Sequence, residues 1–571
     1  MTRQLLHSTL LVVSWFSLCL ALTGRSQTLE PLPAIPPGTI EPVRPPLPSL
    51  PEAIPSTSPH LTIPTSPSVP LSPLPAVRVR VKDIEVLGST VFSRDELAKV
   101  LAPFQDRDAS FEELLAIRAA VTDLYVSRGY VTSGAFLPAQ QIDDVNNAVI
   151  RIQVVEGEVE QIQLQGLTRL SEAYVRDRLS TAIRTPLNLR NLEAALQLLQ
   201  LDPLIASVQA ELGAGLTPGR NVLKVTLQEA DPWTGIAVVQ NRESPSVGSL
   251  GSGVVLSYGN LMGGGDRLSA DINLTAGSQT IGAGYELPVN AQDGRLSFRY
   301  TNSNSRIIEQ PFSRSDINSR TQTISVGFRQ PIVRTPSSEI GLGLSLDWRE
   351  NQTFLLNDIP FSFSIGPENG RSAVTVLRFT QDWVNRTPTQ VLAARSQFSL
   401  GLGLLGATVN NSGTDGQFIS WLGQFQWVQA ISGDAIVITR VAAQLTGDSL
   451  LPIEQFGIGG VDTVRGYRQN QRVGDSGIIG SIEVRVPIVR NAAGESVLQL
   501  TPFFDIGTVW SNRNENGAAA TLASIGTGLR WQINPTMAAR LDIGIPLLDA
   551  TKLGNSLQDS GIYFSLQYQP F

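Results

Sequence analysis

The feature that most constrains the fold of this chain is an alternation of apolar and polar residues from Trp233 to Phe571. A period of two places apolar side chains on one face of a strand and polar ones on the other. A soluble sandwich also alternates, but strands this numerous, this modestly hydrophobic and this charged on one face suit a barrel with lipid outside and water inside. At about 20 residues per strand and connection, residues 232–571 predict a transmembrane antiparallel β-barrel of roughly 16 strands. The pattern is clearest at Leu268, Ala270, Ile272 and Leu274 against Ser269, Asp271, Asn273 and Thr275, at Ile482, Val484, Val486 and Ile488 against Ser481, Glu483 and Arg485, and at Leu541, Ile543 and Ile545 against Arg540, Asp542 and Gly544.

Residues 1–26 are typical of a cleavable secretory signal peptide. A basic start at Arg3 precedes a mostly apolar stretch from Leu5 to Leu22, and small residues follow it. A lipoprotein signal at Cys19 is the alternative, although Phe16-Ser17-Leu18 is a poor context for acylation. The mature chain is therefore expected outside the cytoplasm.

Removal of this peptide takes away the one cysteine of the chain and one of its two histidines, and leaves only His60. A Cys/His zinc site, a thiol nucleophile and a disulfide framework are then excluded, and a Ser-His-Asp triad is disfavoured. Carboxylates are plentiful, so a two-acid hydrolase or a calcium site stays open on composition, although no short Asp/Glu cluster stands out. The sequence thus indicates a transporter rather than an enzyme, and we expect no cofactor and no metal.

The charge of the chain also narrows its partners and its location. A net charge of -7 and a pI near 5.2 disfavour nucleic acid as a partner, because no long basic stripe offsets the deficit. After the signal peptide no run of about 18 apolar residues occurs, so we expect no transmembrane helix. An exported chain of this kind is either soluble outside the inner membrane or a β-barrel in the outer membrane.

Residues 27–77 form a proline-rich linker. Between Pro31 and Pro75 there are 16 prolines, interleaved with Ser, Thr and Leu. This composition favours extended polyproline II and cannot bury a core, which indicates a semi-rigid spacer. A docking role, as a PxxP ligand or a cell-wall contact, is the alternative.

The next 150 or so residues contain an internal repeat with a constant offset of 78. In each copy an alternating strand leads through a glycine into a helix; a second helix and two strands follow, so the pattern is β-α-α-β-β, over residues 78–157 and again over residues 158–231. Ser93 with Glu96 and Ser110 with Glu113 predict helix caps in the first copy, and Asn188 predicts one in the second. The matched positions are Val81, Ile84, Val86, Gly88, Thr90, Phe92 and Ser93 against Val159, Ile162, Leu164, Gly166, Thr168, Leu170 and Ser171.

These repeats carry motifs that resemble the paired POTRA domains of two-partner secretion transporters, the haemolysin secretion/activation family of the POTRA-barrel superfamily. The resemblance covers roughly residues 78–571. Its motifs are Tyr125-x-x-Arg128-Gly129-Tyr130-Val131-Thr132, Leu137-Pro138-x-Gln140, Val154-Val155-Glu156-Gly157 and Pro186-Leu187-Asn188-Leu189 with Leu192-Glu193.

The resemblance implies an outer-membrane protein with POTRA domains in the periplasm and a 16-stranded barrel. Its partners would be a secreted exoprotein with an N-terminal secretion domain, outer-membrane lipid and the barrel-assembly machinery. A POTRA sheet of three strands covered by two helices leaves an edge to which an extended peptide can add. The rivals are an insertase of other barrel proteins, which shares the loop motif but usually has more POTRA domains, a passive porin or adhesin barrel, and a barrel-embedded hydrolase.

The candidate functional site is Val464-Arg465-Gly466-Tyr467, in a polar stretch from about Gly447 to Gly474 between two predicted strands. In Leu498–Trp510 the outward set leaves Phe503 and Asp505 facing the lumen, where a carboxylate calls for a cation such as Arg465. By resemblance, the loop dips into the barrel, its tip is Arg465, Gly466 and Tyr467, and its receptor is Phe503, Asp505 and Gly507. Glu483 and Arg485 are expected around this pair.

Two features depart from the resemblance, and a glycine-rich segment suggests a separate interpretation. The proline-rich segment offers no helix long enough to plug the pore, as some family members have. The C-terminal apolar residues Ile562, Phe564, Leu566 and Tyr568 are out of phase with Phe571, and Pro570 is expected to break the ladder. Gly263-Gly264-Gly265-Asp266 suggests a phosphate cradle, but no helix follows it, so a hairpin turn is the better interpretation.

Overall fold

The structure is a computed structural model. It describes residues 60–62, 78–356, 358–411, 413–432, 434–513, 519–549 and 554–570. The predicted signal peptide, most of the proline-rich linker and Phe571 lie outside the described residues.

The first α/β domain packs two helices against a mixed sheet. Helix α2 begins where Ser110 accepts a hydrogen bond from the Glu113 N–H and Glu113 returns one, and it buries Leu114, Ile117 and Val121. The sheet has four strands in the order β3-β2-β5-β4, because a short strand between the helices adds to its edge, where three had been expected. The elements are β2 (Arg78–Leu87), α1 (Arg94–Leu101), β3 (Arg107–Ser110), α2 (Phe111–Ser127), β4 (Gly134–Phe136) and β5 (Ala148–Val155).

The second α/β domain repeats this plan and also has a four-stranded sheet, in the order β1-β7-β8-β6. Its additional strand is β1 (His60–Thr62), which comes from the proline-rich segment and pairs parallel with β7. Leu61 packs against the core of the domain, so the spacer contributes to a folded sheet at this point. The other elements are β6 (Glu158–Gln165), α3 (Glu172–Ser180), α4 (Leu189–Gln200), β7 (Ile205–Ala214) and β8 (Arg220–Glu229).

A glutamate at the end of each unit explains the repeated threonine. Glu156 accepts hydrogen bonds from the Thr90 N–H and hydroxyl, at 2.7 and 2.5 Å. Glu229 accepts the same pair from Thr168, at 2.7 and 3.0 Å, and also the N–H groups of the next two residues. Each carboxylate therefore holds the strand-to-helix turn of its own repeat.

The family motifs of the two domains meet at the junction between them. The Leu189 N–H donates to the Gly129 carbonyl at 2.8 Å, and the Asn188 amide donates to the Arg128 carbonyl at 3.1 Å. Gly129 has φ of +93°, and a Cβ there would lie 2.9 Å from the Asn188 side chain. A glycine is required by both the backbone conformation and the close approach.

The C-terminal part is a closed antiparallel barrel of 16 strands, which confirms the predicted fold. It closes where β24 pairs with β9, and Thr501-Pro502 interrupt β21. The strands are β9 (Trp233–Gln240), β10 (Gly251–Gly259), β11 (Arg267–Thr275), β12 (Ser278–Pro288), β13 (Arg295–Arg306), β14 (Asn318–Arg334), β15 (Ser338–Leu355), β16 (Arg371–Arg386), β17 (Gln390–Leu402), β18 (Ile419–Ala430), β19 (Ile436–Thr446), β20 (Ser476–Arg490), β21 (Ser496–Leu500 and Phe503–Trp510), β22 (Ala520–Asn534), β23 (Met537–Pro546) and β24 (Ile562–Tyr568).

The barrel wall separates an apolar outside from a polar lumen. The alternating apolar residues of β11, β20 and β23 are exposed on the outer surface, with Leu268 43% and Ile543 44% exposed. Their neighbours turn inward, where Asp542 and Glu483 are buried. This arrangement suits a wall that meets lipid. Within the described residues, no helix is long and apolar enough to cross a membrane.

The second α/β domain contacts one rim of the barrel, which we call the near rim. The Ser171 N–H donates to the carbonyl of Gly263, in the turn between β10 and β11, at 2.9 Å. Arg178 forms an ion pair of 2.8 Å with Asp293, in the turn between β12 and β13. The glycine-rich segment is thus a hairpin turn that also receives helix α3.

The last described strand ends before the C-terminus. Strand β24 stops at Tyr568, and the Gln569 N–H donates to the Thr536 carbonyl in the neighbouring turn at 2.7 Å. Ladder pairing therefore stops two residues before Pro570.

Candidate functional site: an arginine lock inside the barrel

The long loop, residues 447–475, connects β19 to β20 and folds into the lumen from the far rim. Two short strands, Phe456–Ile458 and Arg472–Gly474, pair with each other and form its stem. The tip between them contains Val464, Arg465, Gly466 and Tyr467, all of them buried. The polar composition of the loop is explained by this position, since its tip contacts charged groups of the wall.

Arg465 lies in an acidic cage on the wall, and its side chain is only 3% exposed. Its Nε and Nη2 donate to the two carboxylate oxygens of Asp505, at 2.7 and 2.9 Å, and its backbone N–H also donates to Asp505, at 3.1 Å. Its Nη1 donates to Glu483 at 2.8 Å and reaches Asp542 at 3.5 Å. The guanidinium also stacks on Phe503, 3.4 Å from the ring centroid. Two-pronged pairs of this kind fix position as well as charge.

Gly466 brings the loop backbone against the barrel wall. Its φ is +95°, and a Cβ would lie 3.2 Å from the Gly544 carbonyl group on β23. Its N–H donates to the hydroxyl of Tyr563 on β24 at 2.9 Å, and that hydroxyl donates to the Tyr467 carbonyl. A side chain at this position would separate the tip from β23.

Val464 and Tyr467, which flank Arg465 and Gly466, anchor the tip through a hydrogen bond and apolar contacts. The Tyr467 hydroxyl lies 2.8 Å from the backbone carbonyl oxygens of Ala523 and Leu548, one of which accepts its single proton. A Cβ at Gly507 would lie 3.1 Å from Val464, so this wall glycine makes room for the tip. The buried apolar cluster around them is Ile458, Val464, Tyr467, Val509 and Leu522.

The structure brings the sequence-predicted residues together and changes the place of one of them, Glu483. Glu483, expected around the pair, contacts Arg465 directly, whereas Arg485 reaches Glu483 at 2.9 Å and is one step removed. Sequence reasoning missed Asp542 and Tyr563 as partners of the tip. The available signal was strand alternation, which places both side chains on the lumen face of β23 and β24. Alternation alone does not show that they lie beside the loop.

The long loop has a second anchor that the sequence did not indicate. Its residue Glu454, near the base, accepts two hydrogen bonds from Nη2 of Arg378 on β16, at 2.9 and 3.0 Å. Nε of Arg378 donates to Asp347 on β15 at 2.7 Å, and all three side chains are at least four-fifths buried. In a ring of 16 strands β16 lies opposite β24, which contacts the tip, so the loop crosses the lumen.

A third set of contacts ties the tip to other loops of the far rim. Arg468 donates to Asp559, in the loop between β23 and β24, at 2.5 and 2.7 Å. It also donates to Glu309, in the loop between β13 and β14, at 3.0 and 2.9 Å. The long loop that carries Arg465 therefore also connects two other loops of the far rim, the one between β13 and β14 and the one between β23 and β24.

The acidic cage binds an arginine, and the described ranges of the chain hold no group of three or more His, Cys, Asp or Glu residues suited to a metal ion. The chemistry of this site is ion pairing between the long loop and the barrel wall.

Comparison with known proteins identifies the family. Residues 219–531, more than half of the chain, match the haemolysin secretion/activation protein ShlB/FhaC/HecB, and residues 79–157 match the ShlB-type POTRA domain. The chain belongs to this family. It is an outer-membrane transporter of two-partner secretion, with its POTRA domains in the periplasm, so the near rim is periplasmic and the far rim faces outward.

Similar proteins agree with this assignment. The outer membrane transporter CdiB of Escherichia coli O6:K15:H31 is 26% identical over 491 residues, which cover 82% of this chain and 79% of that protein. The heme/hemopexin transporter protein HuxB of Haemophilus influenzae strain 86-028NP is 20% identical, covering 79% and 80%. The family favours secretion over the insertase alternative, and a secretion transporter implies a secreted exoprotein as partner.

Solved structures share the fold. CdiB from Escherichia coli superposes with a TM-score of 0.68 at 22% identity, covering 90% of this chain and 93% of that one. BamA from Haemophilus ducreyi lacking POTRA domains 1–3 superposes with a TM-score of 0.51 at 15% identity, covering 86% and 100%. Both solved structures thus share the overall fold of this chain.

Proposed function

We propose that this transporter captures an unfolded, signal-stripped exoprotein on its POTRA domains and passes it through the barrel, with the long loop held across the lumen by the arginine lock between transport events. The exoprotein carries an N-terminal secretion domain. No nucleotide-binding motif occurs in the sequence, so we attribute the driving force to folding of the cargo outside the cell.

The buried contacts of Arg465 carry this proposal. A buried ion pair contributes little net stability compared with apolar packing, but removal of one partner is costly, by about 3–5 kcal/mol. Such pairs are suited to fixing an element in one position. Here the fixed element is the long loop, which crosses the route that a polypeptide must take. At least one anchor of the loop must release for a chain to pass, and the Arg465 lock defines the position to which the loop returns.

The sheet edge of the second POTRA domain supports capture by strand addition. Backbone groups of an edge strand can pair with any extended segment, and alternate side chains fill shallow pockets. Strand β7 pairs in parallel with His60–Thr62, and Leu61 rests on the domain core. This edge therefore has the geometry that an added strand requires, and a cargo segment would take the place of His60–Thr62 on β7. We propose it as the docking site for the secretion domain.

Two further partners belong to this proposal. Outer-membrane lipid meets the apolar outer face of the barrel, and the barrel-assembly machinery inserts the chain during biogenesis. The end of β24 at Tyr568, short of Pro570, is the segment that this machinery would meet.

Proline substitution tests the docking site. Ala210→Pro on β7 removes an N–H that faces away from β8 and that an added strand needs, so binding of the exoprotein's N-terminal region should weaken, while insertion of the barrel into the outer membrane is retained. The measurement is the dissociation constant for that region with the full-length transporter in detergent. Ala210→Ser, which keeps the N–H, is the control. Undiminished binding after proline scanning of β3, β4, β6 and β7 would remove the mechanism.

A further inference from the structure

A polar cavity of about 390 Å³ lies in the lumen at the periplasmic side of the arginine lock. Its wall is formed by β20 to β24 near their periplasmic ends. A chain that leaves the second POTRA domain for the lumen meets this wall before it meets the long loop. The polar residues that line the cavity include Arg485, Gln499, Arg530, Gln532, Arg540 and Gln567.

The charges around this cavity do not balance. Five arginines face three carboxylates, an excess of two positive charges among the described residues; the arginines are Arg440, Arg465, Arg485, Arg530 and Arg540, and the carboxylates are Glu483, Asp505 and Asp542. Asp505 pairs with Arg465 at 2.7 Å, and Glu483 and Asp542, which Arg465 also contacts, are shared with the other arginines.

Some guanidinium N–H groups around the cavity have only a long contact, or no carboxylate partner, among the described residues. Arg530 reaches Glu483 only at 3.5 Å, and its buried Nε has no hydrogen-bond partner within the described part of the chain. Arg440 contacts Gln426 at 3.3 Å and forms no ion pair among the described residues. Guanidinium groups bind carboxylates through two parallel hydrogen bonds, and an excess of them in a confined site concentrates anions.

We infer that this arginine pocket binds carboxylate side chains of the exported polypeptide as it enters the barrel. The inference rests on the proposed function, since it names a chemical property of the cargo: acidic residues in an extended segment. The pocket lies between the POTRA domains and the lock, so it would hold the segment on the periplasmic side while the loop is still in place. Free inorganic phosphate shares this chemistry, and the experiment separates the two sources.

The test measures binding of a fluorescein-labelled hexaglutamate peptide to the full-length transporter in detergent, by fluorescence anisotropy at low ionic strength. The wild type should bind it, unlabelled hexaglutamate should compete, and hexalysine should not. Arg530→Gln with Arg540→Gln should weaken binding by at least about tenfold, because two guanidinium groups of the pocket are lost. A change of less than about twofold would overturn the inference.

Matched variants keep the result interpretable. Arg299→Gln with Arg395→Gln removes two arginines from β13 and β17 that already have carboxylate partners, and binding should be unchanged. If the Arg530/Arg540 double variant loses heat-modifiable migration, either single substitution replaces it, with a smaller expected loss. Phosphate that displaces the peptide at an equal concentration of charge would show a free-anion site and overturn assignment to the cargo.

Secretion is measured in parallel with the wild type. If the transporter exports its exoprotein but binds no hexaglutamate, the result contradicts this inference and leaves the proposed function standing. A transporter that binds hexaglutamate but exports no exoprotein loses the proposed function, while the pocket stands as an acidic-peptide site.

Discussion

At the scale of single residues, carboxylates that accept several hydrogen bonds determine where this chain turns and where its long loop lies. Glu156 and Glu229 each gather N–H groups of a strand-to-helix turn, and Asp505 gathers three donors of Arg465. Desolvation acts to raise the pKa of Glu229, but the N–H groups of Leu170, Thr168 and Arg169 outweigh it and lower the pKa to about 2. The ionised form is therefore the one that stabilises the second POTRA domain.

Glu229→Gln should destabilise the POTRA pair, residues 78–230, by about 2 kcal/mol at pH 7. Because the pKa of Glu229 is lower in the folded state, its contribution is fully present above pH 4.5, the ordinary glutamate value, and is lost as pH falls toward 2. The two proteins should thus converge in stability at low pH. Urea denaturation from pH 2 to pH 7 measures this, with the exposed Glu193→Gln as control. A difference that stays constant with pH would refute the assignment.

At the scale of elements, the long loop is the part whose structure depends most on distant contacts. The sequence predicted its limits and its tip, because a polar stretch between two alternating strands is visible without a fold, and strand phase placed Asp505 in the lumen. The contact between Glu454 and Arg378 was not predictable. The two residues lie 76 positions apart, on a loop and a strand, and no local pattern determines how these two elements pack. The same holds for the pairing of His60–Thr62 with β7, since proline-rich composition predicts an extended spacer but not where it docks.

Glu454→Gln should loosen the base of the long loop while the tip remains locked. Glutamine cannot neutralise Arg378, which keeps Asp347 at 2.7 Å, so the cost to the anchor should be about 1–3 kcal/mol. We expect a higher mean conductance in planar bilayers and unchanged levels in the outer membrane. Glu368→Gln, an exposed loop substitution, is the matched control. Conductance equal to that of the wild type would show that the base does not hold the loop in place.

At the scale of the whole molecule, a part with buried apolar cores is followed within a few residues by a barrel with an apolar outer surface. The repeats bury conventional apolar cores, while the barrel exposes its apolar residues, and only residues 230–232 separate β8 from β9. The strand count was predictable because period-two alternation and segment length suffice for it. The contact of helix α3 with the turns at Gly263 and Asp293 was not, since it depends on how the two parts pack.

Residues 78–230 expressed alone should fold as a soluble monomer, and residues 233–571 should need detergent and show heat-modifiable migration on gels. The reason is that the first part buries most of its large apolar side chains in two cores, whereas the strands of the second part present theirs outward. Circular dichroism and gel filtration check the first part, and gel mobility with and without boiling checks the second. An unfolded first part, or a second part soluble without detergent, would contradict the two-part architecture.

The central claim is that Arg465 and Asp505 act as one unit in export, and a double-mutant cycle on secretion tests it most directly. Arg465→Ala, Asp505→Ala and the double variant are compared with the wild type for exoprotein released per transporter in the outer membrane, with Arg299→Ala on β13 as a control that leaves the contacts of Arg465 intact. We predict that each single substitution lowers secretion by roughly tenfold or more, and that the double variant is little worse than either, because the shared interaction is lost only once. Defects that simply add, with a coupling energy near zero, would show that the pair does not operate as a lock.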